Sequence, residues 1–237
     1  MRLTAHQPAY LPWLGLFHKI AVCDVYYYLE NVQYVPCDNI SRNFIRSAAG
    51  RTLLSVPVYQ KGHLERNIKD SLIDNARNWA KKHWSSILFS YAKAPYFKKY
   101  ADFWEDLYLR EWKNLSELNF YILKWHLGVL GITTRVIRAG DDIFPGKKSR
   151  LLVDICHKYG ADRFLFGALG EEYADRELFA REKIAIAFQH YNHPEYRQLH
   201  GAFMPYMACI DLIFNEGPRA LDIIMSGNCS SQEIQYH

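Results

Sequence analysis

The chain alternates between two periodicities at both of its ends, and that alternation limits its fold more than any other feature. Residues 1–5 have strand chemistry, "WLGLFHKIAV" (13–22) sets apolar side chains at helical spacing, and "DVYYYLENVQY" (24–34) returns to aromatic and β-branched strand composition. A strand, helix, strand unit with short connections implies a parallel strand pair joined by a crossover. The pattern resumes in "TTRVIRAGDDI" (133–143, strand), "GKKSRLLVDICHKYG" (146–160, helix), "DRFLFG" (162–167, strand) and "KIAIAFQHYN" (183–192, strand). The expected class is α/β: a mainly parallel sheet with flanking helices and an inserted helical lobe.

The lobe falls between the two α/β stretches. From Asp74 to Gly131 the aromatic and apolar positions predict about three helices, with Asn114 to Glu117 as an N-terminal cap region, Pro95 in a first turn and Gly131 as a stop. Three regions follow: 1–73 as a first α/β half, 74–131 as the lobe, and 132–237 as a second half with closing helices. Trp79, Trp84, Trp104, Trp112 and Trp125 read as packing residues of the lobe rather than a base-stacking platform. "RTLLSVPVY" (51–59) is a further strand candidate, closed by a polar turn around Lys61 and Gly62. Residues 204–225 predict two helices broken near Gly217 and Pro218, and the last dozen residues predict a frayed tail.

Composition narrows the class of partner. The 237 residues, 49% hydrophobic and 23% charged, suit a globular protein with one sizeable core. A net charge of +4 favours anionic ligands but gives no dedicated nucleic-acid footprint, so nucleic acid is not an expected partner. The N-terminus has no apolar signal region and no long apolar run is present, so a cytoplasmic protein without a membrane partner is expected. Five cysteines without a C-x-x-C pair predict reduced thiols rather than a disulfide framework or zinc ribbon.

In a parallel α/β sheet, ligands sit beyond the carboxyl ends of the strands. "HQPAYLPW" (6–13) occupies such a loop. His6 and Gln7 follow the first strand, Pro8 and Pro12 stiffen the backbone, and Tyr10 and Trp13 offer rings; the alternative is a rigid turn whose side chains cap and pack. Asn31 and Gln33 are expected to emerge near the same edge, and Arg42 with Asn43 offers a bidentate clamp and an amide, or a solvated loop paired to Glu30 or Asp38. In "FGALGEEY" (166–173), Gly167 and Gly170 would let backbone amides approach a phosphate or sugar hydroxyl beside Tyr173. Neither a P-loop nor a dinucleotide fingerprint is present. Ser149, with Lys147 and Lys148, stands at a helix start.

"HYNHPEYRQLH" (190–200) carries His190, His193 and His200, but without helical ligand spacing, so no metal is expected; His193 and Tyr196 serve better as polar groups of a pocket. Asp211, inside "CIDLIF", must cap, pair or serve the site, because an unpaired buried carboxylate is costly.

The segments "HQPAYLPWLGLFHKIAVCDVYYYLENVQY", "SRNFI", "LLSVPV", "KSRLL" with "GADRFLFGALGEEY", and "HPEYRQLHGAFMPYMACIDLIFNEG" resemble, in order, the WbqC-like protein family. The resemblance implies a link to bacterial O-antigen and surface-polysaccharide gene clusters. The family pattern usually has serine before the aspartate-containing helix, where Ala208 and Cys209 stand here. The first forty residues are also similar to pantothenate synthetase and related nucleotidylyltransferase-like folds, which adenylate a carboxylate and pass it to an amine. The second histidine of their H-x-G-H loop is absent, since Pro8 and Ala9 follow Gln7, so ATP use stays open.

The expectation is an enzyme that forms an amide on a nucleotide-linked amino sugar, with His6 and Gln7 as catalytic groups and ATP or an activated acyl donor as candidate cosubstrate. The rival is a binding or scaffold protein holding a nucleotide sugar or anionic metabolite without chemistry.

Overall fold

The run Val25–Tyr28, four consecutive buried residues, marks a strand covered on both faces. It is β2 of a computed structural model that describes residues 1–36, 38–60, 66–140 and 142–237. The turn expected around Lys61 and Gly62, and the residues Cys37 and Asp141, lie outside the described residues. With β1 (Arg2–His6), β5 (Arg135–Arg138), β6 (Arg163–Phe166) and β7 (Ala185–Phe188), β2 forms a parallel sheet in the order β5-β2-β1-β6-β7. The chain steps outward from β1 through β2 to β5, then returns to the other side of β1 for β6 and β7. The direction of winding therefore reverses between β1 and β6.

Successive strand residues face opposite layers. Leu3, Val25, Tyr27, Phe164, Phe166 and Ile186 pack with Leu152 and Ile155 of α5 (Ser149–Tyr159) and Phe179 of α7 (Arg176–Arg181). Tyr26 and Tyr28 face the larger core with Phe17 and Ile20 of α1 (Leu14–Ala21).

The expected lobe is α2 (Trp79–Tyr91), α3 (Phe97–Leu109) and α4 (Leu115–Leu130). The Asn114 side chain accepts the Glu117 amide hydrogen at 3.0 Å, and Gly131 ends α4 at φ 68°; such a cap contributes about 1 kcal/mol. Trp79 and Trp104 are buried, and Trp84, Trp112 and Trp125 pack partly buried on the same core, which runs on without a break into α1 and α8 (Cys209–Glu216). The chain closes with α9 (Ala220–Met225) after a short 3-10 turn at Gly217–Arg219.

Four expectations change. The 24–34 strand ends at Tyr28, because Glu30 turns inward to the Arg138 guanidinium instead of continuing the ladder. "SRNFI" forms β3 (Arg42–Ser47), an antiparallel partner of β4 (Gly50–Ser55) outside the main sheet. Its polar composition hides it: the buried Arg46 guanidinium donates to the carbonyls of Ser47, His200 and Ala202. The glycine loop after β6 closes into a helical turn, α6 (Gly170–Tyr173), and α7 follows, capped by Asp175. The tail is docked rather than frayed, with His237 exchanging two backbone hydrogen bonds with Ile186 of β7 and Arg2 donating to the Ser231 carbonyl. Among the described residues no helix is long and apolar enough to cross a membrane.

Candidate functional site

The reversal between β1 and β6 opens a crevice at the carboxyl ends of both strands, the position where doubly wound sheets bind ligands. A cavity of about 540 Å³ fills it. Its walls come from the loops after β1, β6 and β7 and from one face of α1.

The β1 loop is held in a costly shape. Leu11 has φ 47°, a left-handed conformation that costs a side-chain-bearing residue about 1–2 kcal/mol. The Asn43 amide donates to the Leu11 carbonyl at 2.5 Å, the Tyr10 amide donates to Asn39, and the Cys209 amide donates to Pro12. These bonds fix the loop so that His6, Gln7 and Trp13 line the cavity. The His6 and Trp13 rings meet edge to face at 5.3 Å.

His6 Nδ1 lies 2.7 Å from the Gln7 carbonyl. A carbonyl only accepts, so Nδ1 carries the proton and Nε2 keeps its lone pair. Burial, reinforced by the Lys19 charge, lowers the His6 pKa to about 3, so the ring is neutral at pH 7.

Gly15, Leu16 and Lys19 carry the α1 face into the cavity. Gly15 allows a close approach there: a Cβ would stand 3.0 Å from the Tyr191 ring, another wall of the cavity. Lys19 is 4% exposed, and its Nζ donates to the Ala5 carbonyl at 3.3 Å. Burial lowers its pKa to about 8. Gln189 closes this side by donating to the Gly15 carbonyl at 2.9 Å and to His18 Nδ1 at 2.7 Å. That sets the His18 tautomer, because Nε2 must then donate to the Cys229 carbonyl.

The third wall is the turn after β6. Gly170 packs on Phe166 so closely that a Cβ would stand 2.5 Å from the ring's own Cβ. Gly167, Ala168 and Leu169 line the cavity, with Tyr173, His193 and Tyr206 at its edge. His193 Nδ1 donates to Pro194, and Nε2 accepts the Tyr206 amide hydrogen at 3.3 Å. The lining is mostly apolar and aromatic, with His6, Gln7, Lys19 and Gln189 as convergent polar groups, the composition of a small-molecule pocket.

Seven expected site residues thus meet at one cavity: His6, Gln7, Trp13, Gly167, Gly170, Tyr173 and His193. The others lie elsewhere. Tyr10 is buried in the core, its hydroxyl 2.8 Å from His83 Nδ1 and 2.6 Å from the Tyr108 hydroxyl. Asn31 donates to the Asp142 carbonyl, and Gln33 bridges to the backbone of Asn67. Arg42 begins β3 opposite Ser55, and Asn43 braces the β1 loop from outside the cavity. Ser149 Oγ accepts the Asp175 amide hydrogen and ties α5 to the turn before α7. Asp211 accepts hydrogen bonds from Tyr91, Tyr196 and Gln198 in a buried network linking α2, α8 and the 193–206 loop; Arg42 and Asp211 are therefore not in the same pocket as His6.

Lys19, Gly15, Gln189 and Tyr191 escaped the sequence reading. The available signal was a lysine within the apolar helix "LGLFHKIA", which reads equally as a cation in a last helical turn.

Sequence comparisons match most of the chain. The profile of the WbqC-like protein family matches residues 7–223. An uncharacterized protein of Mycobacterium tuberculosis, Rv1507c, is 34% identical over 220 residues, covering 92% of this chain and 95% of that one. No solved structure matches. With a family match over most of its length, the chain belongs to the WbqC-like protein family.

Proposed function

We propose that the protein is an enzyme of bacterial surface-polysaccharide biosynthesis that forms an amide on a nucleotide-linked amino sugar, using an activated acyl donor. One observation carries the reading: a neutral histidine with a free Nε2 lone pair lines a ring-walled cavity at the switch point of the sheet. The aromatic walls, Trp13, Tyr173, Tyr191 and Tyr206, suit the flat faces of a base or sugar.

In the reaction the sugar amine attacks the acyl carbonyl, a C–N bond forms, the bond to the donor's leaving group breaks, and the proton lost from nitrogen passes to His6 Nε2. The Lys19 charge contributes to the low basicity of His6, after burial. An anionic substrate offsets that charge and moves the His6 pKa upward, against the larger lowering by burial, which remains. The Gln7 carbonyl keeps the ring oriented.

Incubation with nucleotide-linked amino sugars and activated acyl donors, followed by mass spectrometry, should give the acylated sugar, and His6→Asn should lose it while retaining substrate binding. No product with any such pair, together with no binding of the nucleotide sugars, refutes the reading. Saturable binding with the ligand recovered unchanged would assign the cavity to a carrier instead.

A further inference from the structure

We propose that Lys19 is the anion anchor of the cavity: its Nζ receives a phosphate or carboxylate group of the ligand at the carboxyl ends of β1 and β6. The proposal deepens the reading of the cavity as a ligand site and does not need the transfer chemistry.

Three observations meet at this residue. The first is the mismatch between burial and pairing. Lys19 is 4% exposed, yet among the described residues its single hydrogen bond is a 3.3 Å contact to the Ala5 carbonyl, and no Asp or Glu lines the cavity there. Two other cations of this chain, the buried Arg46 and the half-buried Arg138, are treated differently. Arg46 is surrounded by three carbonyls, and Arg138 is clamped on the Glu30 carboxylate. An ammonium left without a counter-charge in an apolar surround is unfavourable unless a ligand supplies one.

The second observation is the space beside the amine. Gly167 carries no side chain, and even a Cβ there would remain 4.0 Å from Nζ. The turn thus reaches the amine as bare backbone, and the cavity that Lys19 and Gly167 both line supplies the space for an oxyanion. The third is the set of donors on the same exposed turn. Among the described residues, the Ala168 and Leu169 amides donate to no acceptor, and both residues line the cavity. A phosphate or carboxylate there would take hydrogen bonds from an ammonium and from main-chain amides, a charge-assisted arrangement in a weakly screened site. The neutral His6 ring alongside adds no competing positive charge, since its ring stays unprotonated at pH 7.

The test is calorimetric titration of the full chain with pyrophosphate and with malonate, in wild-type protein, Lys19→Met and Lys19→Arg. Wild-type protein should bind at least one of the two saturably. Lys19→Met should weaken that binding by about 10- to 100-fold, the usual worth of a hydrogen bond to a charged group, while Lys19→Arg retains more of it. The preferred probe distinguishes a phosphate from a carboxylate. Reductive methylation followed by peptide mapping is the second readout: the anion should protect Lys19 and leave surface lysines unchanged. Thermal melts establish that Lys19→Met is folded, so a loss of binding is a loss of the anchor. Equal affinities in wild-type protein and Lys19→Met, or no binding of either anion to wild-type protein, would overturn the proposal.

Discussion

Replacing Lys19 by methionine should make the ligand-free protein more stable, although it removes a hydrogen bond. Folding lowers the Lys19 pKa from 10.5 to about 8. At about 1.4 kcal/mol per pH unit, that burial of an ill-paired ammonium costs about 3 kcal/mol at pH 7. Methionine fills a similar volume without the charge, and losing the long bond to Ala5 gives back about 1 kcal/mol. The net gain is about 2 kcal/mol, or a rise in Tm of roughly 4–8 °C for a chain of this size. The sign with pH follows from proton counting. Between pH 8 and 10.5 the unfolded lysine holds a proton that the folded one has released, so wild-type stability gains on the variant as pH rises through this window. The advantage of Lys19→Met is complete below pH 8 and gone near 10.5. Cys23, the other ionisable group acting on Lys19, is pushed up to about 12 by burial and stays neutral across the window. Urea unfolding of both proteins at pH 7, 9 and 10.5 measures the gap directly. A variant more than about 1 kcal/mol less stable than wild type at pH 7, or a gap that does not change with pH, would refute the reasoning.

Further perturbations probe the surrounding frame. Arg138→Ala should cost about 3 kcal/mol in urea unfolding, because it removes the counter-charge and two guanidinium hydrogen bonds of the Glu30 carboxylate, 1% exposed, and leaves it only the Ser116 hydroxyl among the described side chains. Gly170→Ala should cost about 1–3 kcal/mol and reduce ligand binding at the cavity, since its Cβ would meet Phe166 at 2.5 Å and push the β6 turn outward; an unchanged Tm would contradict this packing. Acid should unfold the protein before its carboxylates titrate fully. Burial lowers His83 and His126 to about 4 from 6.5, so their stabilising neutrality is complete above pH 6.5 and lost as pH falls toward 4. His126→Gln should flatten that slope in melts between pH 7 and 4.

How much of this was legible in the sequence depends on where each polar group finds its partner. The sheet was legible because strands covered on both faces are written as continuous apolar runs, as in Val25–Tyr28 and residues 164–166. The β3 strand was not, because Arg46 looks like a surface residue until carbonyls from His200 and Ala202, far along the chain, close around it. The β1 loop was legible as a site through its crowding of His6, Gln7 and Trp13 beside two prolines, while Tyr10 in the same loop faces the core.

Asp211 and Lys19 carry the same local signal, a charge inside an apolar helix, and local pattern cannot separate them. Their partners do. Asp211 accepts from two tyrosines and a glutamine, so its oxygens are satisfied within the fold, although burial still raises its pKa. Lys19 has one long contact to a carbonyl, and its surroundings form only when β6 crosses beside β1 and brings Gly167 toward it. A buried charge that the fold satisfies is architecture; one that the fold buries without satisfying leaves part of its pairing to whatever enters the cavity.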